Sequence, residues 1–135
     1  MPARALLDAN AAIALFEGPS DGLHDRALEL FRRVSNGELE VTVTAPVLVE
    51  LAWYLEQQLG WPRGRCARRL RQFLDADGIV SGDRLLEATL DVYARHRRLD
   101  FVDAYLAACA AAGPPAIASF DRDFDRVAGL SRVGG

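Results

Sequence analysis

Leu39-Glu40-Val41-Thr42-Val43-Thr44-Ala45-Pro46-Val47-Leu48-Val49-Glu50-Leu51-Ala52-Trp53 decides how the rest of the chain is read. Its first six residues are rich in β-branched side chains, which predicts a strand over Leu39–Thr44. Pro46 then opens a helix, because the first helical turn has no use for the N–H that proline lacks. That helix is expected to run to Leu59 and to close at Gly60. Glu50 falls in its first turns, where it interrupts an otherwise apolar run.

Working outward, the same alternation of strand and helix repeats. Upstream, Arg4–Asp8 reads as a first strand, with helices over Asn10–Phe16 and His24–Ser35 around a Gly18-Pro19-Ser20-Asp21-Gly22 loop. Downstream, Pro62 opens a helix to about Ala76, Ile79-Val80 is a short third strand, and Arg84–His96 is a helix. Asp100 is placed to cap a further helix ending at Gly113, and Ala116–Ala118 is a fourth strand. The residues after it read as short turns with a loose Gly134-Gly135 end. No repeat, low-complexity tract or long linker divides the 135 residues, so a single α/β domain over 1–135 with a largely parallel sheet is expected.

Composition narrows the chemistry. Half the residues are hydrophobic and about a quarter are charged, as in a soluble globular chain, and no apolar run approaches a membrane span. The early charges of Arg4 and Asp8 leave no room for a secretory segment, so a cytoplasmic location is expected. Cys66 and Cys109 stand far apart, which suggests neither a zinc site nor a disulfide framework. The net charge of −3 gives no global basic field, and all 16 cationic residues are arginine. Without lysine, P-loop and Schiff-base mechanisms are excluded.

In a parallel α/β sheet the chemistry lies beyond the carboxyl ends of the strands. Asp8 follows the first strand there, with Asn10 two residues on, and Glu50 follows the second. The helix that leads into the fourth strand must run back across the sheet, which brings its N-terminal Asp100 and Asp103 to the same edge. Ser119, Asp121 and Asp123 follow the fourth strand. Each acid alone also suits a plainer role, as a cap, a turn residue or a partner of the helix dipole. Together they form a carboxylate cluster that needs a cation or raised pKa values to persist. Oxygen ligands without nearby Cys and with few His favour Mg²⁺ or Mn²⁺, and such ions suit phosphodiester hydrolysis without a histidine base. Asp121-Arg122-Asp123-Phe124-Asp125 starts like a calcium loop but has Arg126 where glycine is required and Arg132 where glutamate is.

Leu6-Leu7-Asp8-Ala9-Asn10, Val47-Leu48-Val49-Glu50-Leu51, Leu99-Asp100-Phe101-Val102-Asp103-Ala104-Tyr105-Leu106-Ala107-Ala108 and Ala118-Ser119-Phe120-Asp121-Arg122-Asp123-Phe124 resemble, in order and spacing, the four acidic motifs of PIN domains. The size resembles that of the VapC toxins. The resemblance implies a mostly parallel four- to five-stranded sheet flanked by helices, and a Mg²⁺- or Mn²⁺-dependent endoribonuclease. It also implies a homodimer held inactive by a small antitoxin. The family's metal-site acids carry over onto Asp8, Glu50, Asp103 and Asp121; Asn10 and Ser119 match supporting positions, and Asp100 and Asp123 match acidic positions of secondary rank. A metal phosphoesterase without a toxin role, or a binding module without catalysis, are the alternatives.

Arg63, Arg65, Arg68, Arg69 and Arg71 crowd the helix opened by Pro62, with Arg65, Arg68 and Arg69 at helical spacing as candidates for RNA phosphates. Arg95, Arg97 and Arg98 make a second cluster. Trp53, Tyr54 and Trp61 are candidates for core, dimer surface or antitoxin anchor.

Overall fold

The computed structural model describes residues 1–19, 22–114 and 116–135, so Ser20, Asp21 and Pro115 of the expected loops lie outside the described residues. The chain divides into two compact units, Met1–Asp83 and Arg84–Gly135, each described by itself.

In the first unit, β2 (Leu39–Val43) is the central strand of a three-stranded parallel sheet, between β1 (Ala3–Leu6) and β3 (Ile79–Ser81). Ala3 lies opposite Leu39 and Leu6 opposite Thr42, while Val41 faces Ile79 across the other edge. Leu39, Val41 and Val43 are buried and alternate with half-buried residues, so one face of β2 fills the core. The very short third strand therefore pairs, and in parallel.

Among the described residues of this unit, four α-helices accompany the sheet. They are α1 (Ala9–Glu17), α2 (Leu23–Ser35), α3 (Ala45–Trp53) and α4 (Arg63–Asp75). Pro46 lies in the first turn of α3, as expected, and Leu48, Leu51 and Ala52 are buried. The expected continuation to Leu59 is not α-helical: Tyr54–Gln58 widens into π turns, with the Leu59 N–H donating to Tyr54 O at 3.1 Å. The Trp61 N–H reaches back to Leu55 O at 3.0 Å. The His24 imidazole Nδ1 lies 3.0 Å from Ala14 O and occupies one of the last carbonyls of α1. Edge-to-face contacts join Trp61 to Phe16, Phe16 to Phe73 and Phe73 to Phe31, at 5.8–6.3 Å between centroids. Between α4 and β3 the chain turns at Gly78 with φ +84°, and a Cβ there would meet both Val34 Cγ1 and Val34 O at 2.7 Å. Only glycine fits that turn.

In the second unit, α5 (Leu86–Arg95) packs on α6 (Phe101–Ala112), with the rings of Tyr93 and Phe101 5.1 Å apart. Buried Ala104, Ala107, Ala108 and Ala110 keep α6 slim enough for close packing. β4 (Ala116–Ala118) follows, then a 3₁₀ turn at Arg122–Arg126 and β5 (Ser131–Val133). β4 and β5 pair in parallel, Ala116 opposite Ser131 and Ala118 opposite Val133.

The α/β class and the parallel pairing are those expected. The five strands hydrogen-bond as a three-stranded and a two-stranded sheet, where a single sheet was expected. The last residues are not merely turns: Ser131–Val133 supplies the partner of β4. Among the described residues no helix is long and apolar enough to cross a membrane.

Candidate metal centre

The first unit offers two exposed carboxylates near the carboxyl ends of its strands. Asp8, just past β1, occupies the position before α1, but its side chain makes no capping hydrogen bond. The Ala11 N–H is taken by the Asp8 carbonyl instead, at 3.1 Å. The plainer reading of Asp8 as a side-chain cap therefore does not hold. Asn10 is exposed on the first turn of α1. Glu50, on the α-helix after β2, is exposed although Leu48, Leu51 and Ala52 around it are buried. Among the described residues neither the Asp8 nor the Glu50 carboxylate has a hydrogen-bond or ion-pair partner.

The second unit holds the other acids, and here local hydrogen bonds fix them. Asp100 caps α6: its Oδ1 accepts the Asp103 N–H at 2.8 Å. Asp103 is half-buried on the first turn of α6. Past β4, Ser119 Oγ accepts the Asp121 N–H at 3.0 Å, and Asp121 Oδ1 accepts the Asp123 N–H at 2.9 Å. Burial first, then the negative charges of Asp100 and Asp121, push the Asp103 carboxyl above the usual carboxylate range. Within this unit the N-terminus of α6 thus meets the carboxyl end of β4, as the run-back of that helix requires.

Asp123 is engaged by cations of the protein itself, with Arg98 Nη1 at 3.8 Å and Arg126 Nε at 3.9 Å from its Oδ1. Arg132 escaped the sequence reading. Its guanidinium forks onto Asp125 at 3.0 and 3.2 Å and donates to Ser119 O at 3.1 Å and Gly135 O at 2.9 Å. It ties β5 to the turn that carries Asp121. An arginine inside a three-residue strand gives no periodic signal, so nothing in the sequence marked the pair with Asp125.

The arginines of α4 divide. Arg69 lies 4.9 Å over the Phe16 ring and donates to Gln72 Oε1 at 2.9 Å, so it is structural in part. Arg65 stacks 3.9 Å over Trp61, and Arg68 is exposed. Trp53 is exposed, while Tyr54 and Trp61 are half-buried. His24 serves as a helix clasp. Cys66 is buried and Cys109 half-buried, and neither is joined in a disulfide.

Among the described residues no three His, Cys, Asp or Glu side chains converge closely enough to hold an ion. The donor chemistry still fits a hard divalent cation: every candidate ligand is a carboxylate oxygen, and the repulsion that Asp103 feels from Asp100 and Asp121 is what such a cation relieves. Comparison with curated proteins finds no match. Residues 5–130 match the PIN domain family, a stretch that includes all four acidic motifs and most of both units, and the chain belongs to that family.

Proposed function

We propose that the chain is a Mg²⁺- or Mn²⁺-dependent endoribonuclease that hydrolyses RNA phosphodiester bonds, and the toxin half of a VapC-like toxin–antitoxin pair. In this reading residues 1–135 act as one nuclease domain. PIN domains are nuclease folds, commonly metal-dependent ribonucleases, and the family match supports that coarse activity. The observation that carries the reading is the acid group of the second unit, where Asp103 is raised by burial and by the charges of Asp100 and Asp121. A surface network of ordinary function would pair such acids with arginine, as the chain does for Asp125.

Asp8, Glu50, Asp103 and Asp121 are the residues that would hold the ion, with Asn10 and Ser119 in support. When bound, a divalent ion supplies a water of lowered pKa and stabilises the leaving oxygen. The chain's own part is positional. Asp100 fixes the first turn of α6 and hence Asp103. The Ser119 hydroxyl holds the backbone of Asp121, whose carboxylate in turn closes the following turn. An RNA strand, a small antitoxin and a second copy of the chain are the partners of this reading, in a cytoplasmic setting.

The test has two parts. Purified protein should cleave a labelled RNA in Mg²⁺ or Mn²⁺ and not in EDTA. Expression of the chain alone should arrest growth, Glu50→Gln should abolish the arrest, and co-expression of the adjoining small gene should relieve it. Harmless expression at high level, with RNA cleavage intact, leaves the nuclease and removes the toxin role.

A further inference from the structure

The helix α4 carries five arginines and a single acidic residue, Asp75 at its last position, in a chain whose net charge is −3. Three of the five are accounted for within the protein. Arg63 pairs with Glu56 at 3.4 Å, Arg69 lies over Phe16 and bonds Gln72, and Arg71 has an interaction of its own. Arg65 and Arg68 have no ion-pair partner among the described residues, and both are exposed. Arg65 is nevertheless held, with its guanidinium carbon 3.9 Å above the Trp61 ring. Trp61 in turn is braced against Phe16, and its backbone N–H is fixed by Leu55 O.

With its guanidinium carbon 3.9 Å over the indole, Arg65 has one side covered by the ring while the side chain stays exposed, so it is positioned before any ligand arrives. Planar groups recognise planar groups, and an arginine plane backed by an aromatic ring is a surface on which a nucleobase stacks. Arg68, one helical turn on, is an exposed cation suited to a phosphate. Phe16, which braces Trp61, closes the helix that Asp8 opens, so about 12 Å along α1 separates this platform's support from Asp8.

We propose that Arg65, backed by Trp61, is a base-stacking platform for single-stranded RNA, with Arg68 as its phosphate contact. This rests on the ribonuclease reading and names the form of RNA it takes: unpaired bases, because a base within a duplex offers no free face. Charge favours RNA over an acidic protein segment only through stacking, so the guanidinium's shape must be tested apart from its charge.

The experiment uses the full chain carrying Asp103→Asn, so that RNA survives the measurement, and fluorescence anisotropy with a labelled mixed-sequence 12-nucleotide RNA. The probes are the single strand, the same strand annealed to its complement, and a poly-glutamate peptide. Arg65→Lys keeps the charge and removes the plane; Arg65→Gln is the second variant, and thermal melting checks both. The expected result is a loss of single-strand affinity of roughly 5- to 100-fold for Arg65→Lys, little change for duplex, and an unchanged salt slope. Arg68→Ala should lower the salt slope by about 0.7 and weaken both RNA forms. Single-strand binding by Arg65→Lys at the affinity of its parent overturns the proposal, as does a loss confined to poly-glutamate, which would assign the face to an acidic protein. RNA cleavage by the chain with native Asp103 is measured in parallel: binding as expected without cleavage removes the ribonuclease reading alone, and cleavage with Arg65→Lys binding unaltered removes the platform alone.

Discussion

Asp100 and Asp103 act on each other in opposite senses: Oδ1 of Asp100 accepts the Asp103 N–H at 2.8 Å, while burial and then the charge of Asp100 hold the Asp103 carboxyl protonated to a higher pH than usual. One contact positions the acid and the other makes its ionised form costly without a counter-ion.

Asp103→Asn separates these effects. A carboxyl raised in the folded state lends stability below the unfolded carboxylate pKa and loses it as pH rises through the folded value. The asparagine carries no such penalty at neutral pH. Its melting temperature in EDTA should therefore equal or exceed that of the wild type at pH 7, and the difference should shrink towards pH 4. RNA cleavage should fall by about 100-fold or more, at least the upper end of what losing a group that merely orients a metal ligand costs. Full cleavage by the purified variant sinks the assignment.

Divalent ions should stabilise the wild type. A ligand bound only by the folded state adds about 2.7 kcal/mol at a hundredfold excess over its Kd. Melting in EDTA, Mg²⁺ and Mn²⁺ measures this, and the increment should vanish in Asp8→Asn. Zinc as the sole activating ion contradicts the all-oxygen donor set.

Arg132→Ala should unclasp β5 from the turn carrying Asp121, since it removes the fork to Asp125 and the bonds to Ser119 O and Gly135 O. A lower melting temperature and weaker Mg²⁺ stabilisation are expected together. The Asp125 carboxyl is held below the usual range by its hydrogen bonds from Arg132, so its contribution is present above the unfolded carboxylate pKa and is lost as pH falls through the folded value. Asp125→Asn should accordingly lose less stability on acidification than the wild type.

Gly78→Ala should destabilise the chain by roughly 1–3 kcal/mol, because φ +84° is strained for any side chain and the new Cβ would lie 2.7 Å from Val34. Urea unfolding at constant m-value reads the change. Gly129→Ala, with φ +80° and open space around it, isolates the backbone part and should cost less.

The sequence was most legible where a residue type has one local use. Pro46 in the first turn of α3, Asp100 as a cap and the β-branched run of β2 each left little choice, and the structure agrees with them. Asp8 was ambiguous because a cap and a ligand call for the same carboxylate, and the structure removes only the first, since the side chain makes no capping bond. β5 was illegible: Ser131-Arg132-Val133 is too short for periodicity, and its place beside β4 depends on an arginine clasp formed across the turn. The roles of Arg65 and Arg69 were equally hidden, since helical spacing gives the shared face but not the aromatic rings beneath it.

The π turns at Tyr54–Gln58 have a consequence for how this segment tolerates changes in length. A wide turn holds one residue more than an α-turn does, so losing a single residue such as Gln57 would let α3 continue regularly. Each residue of an α-helix advances the chain by about 100°. Because the wide turn has already absorbed that advance, the shortened, regular helix would release the chain in much the same direction, and the Trp61 N–H would still face the end of the helix that it closes through Leu55 O. Trp61 would then keep its place beside Arg65 and against the edge of Phe16 with one residue fewer before it. The spacing between Trp53 and Trp61 can thus shorten by the one residue that the wide turn absorbs, whereas a loss of two would carry the chain about 100° round the helix and pull Trp61 from its place.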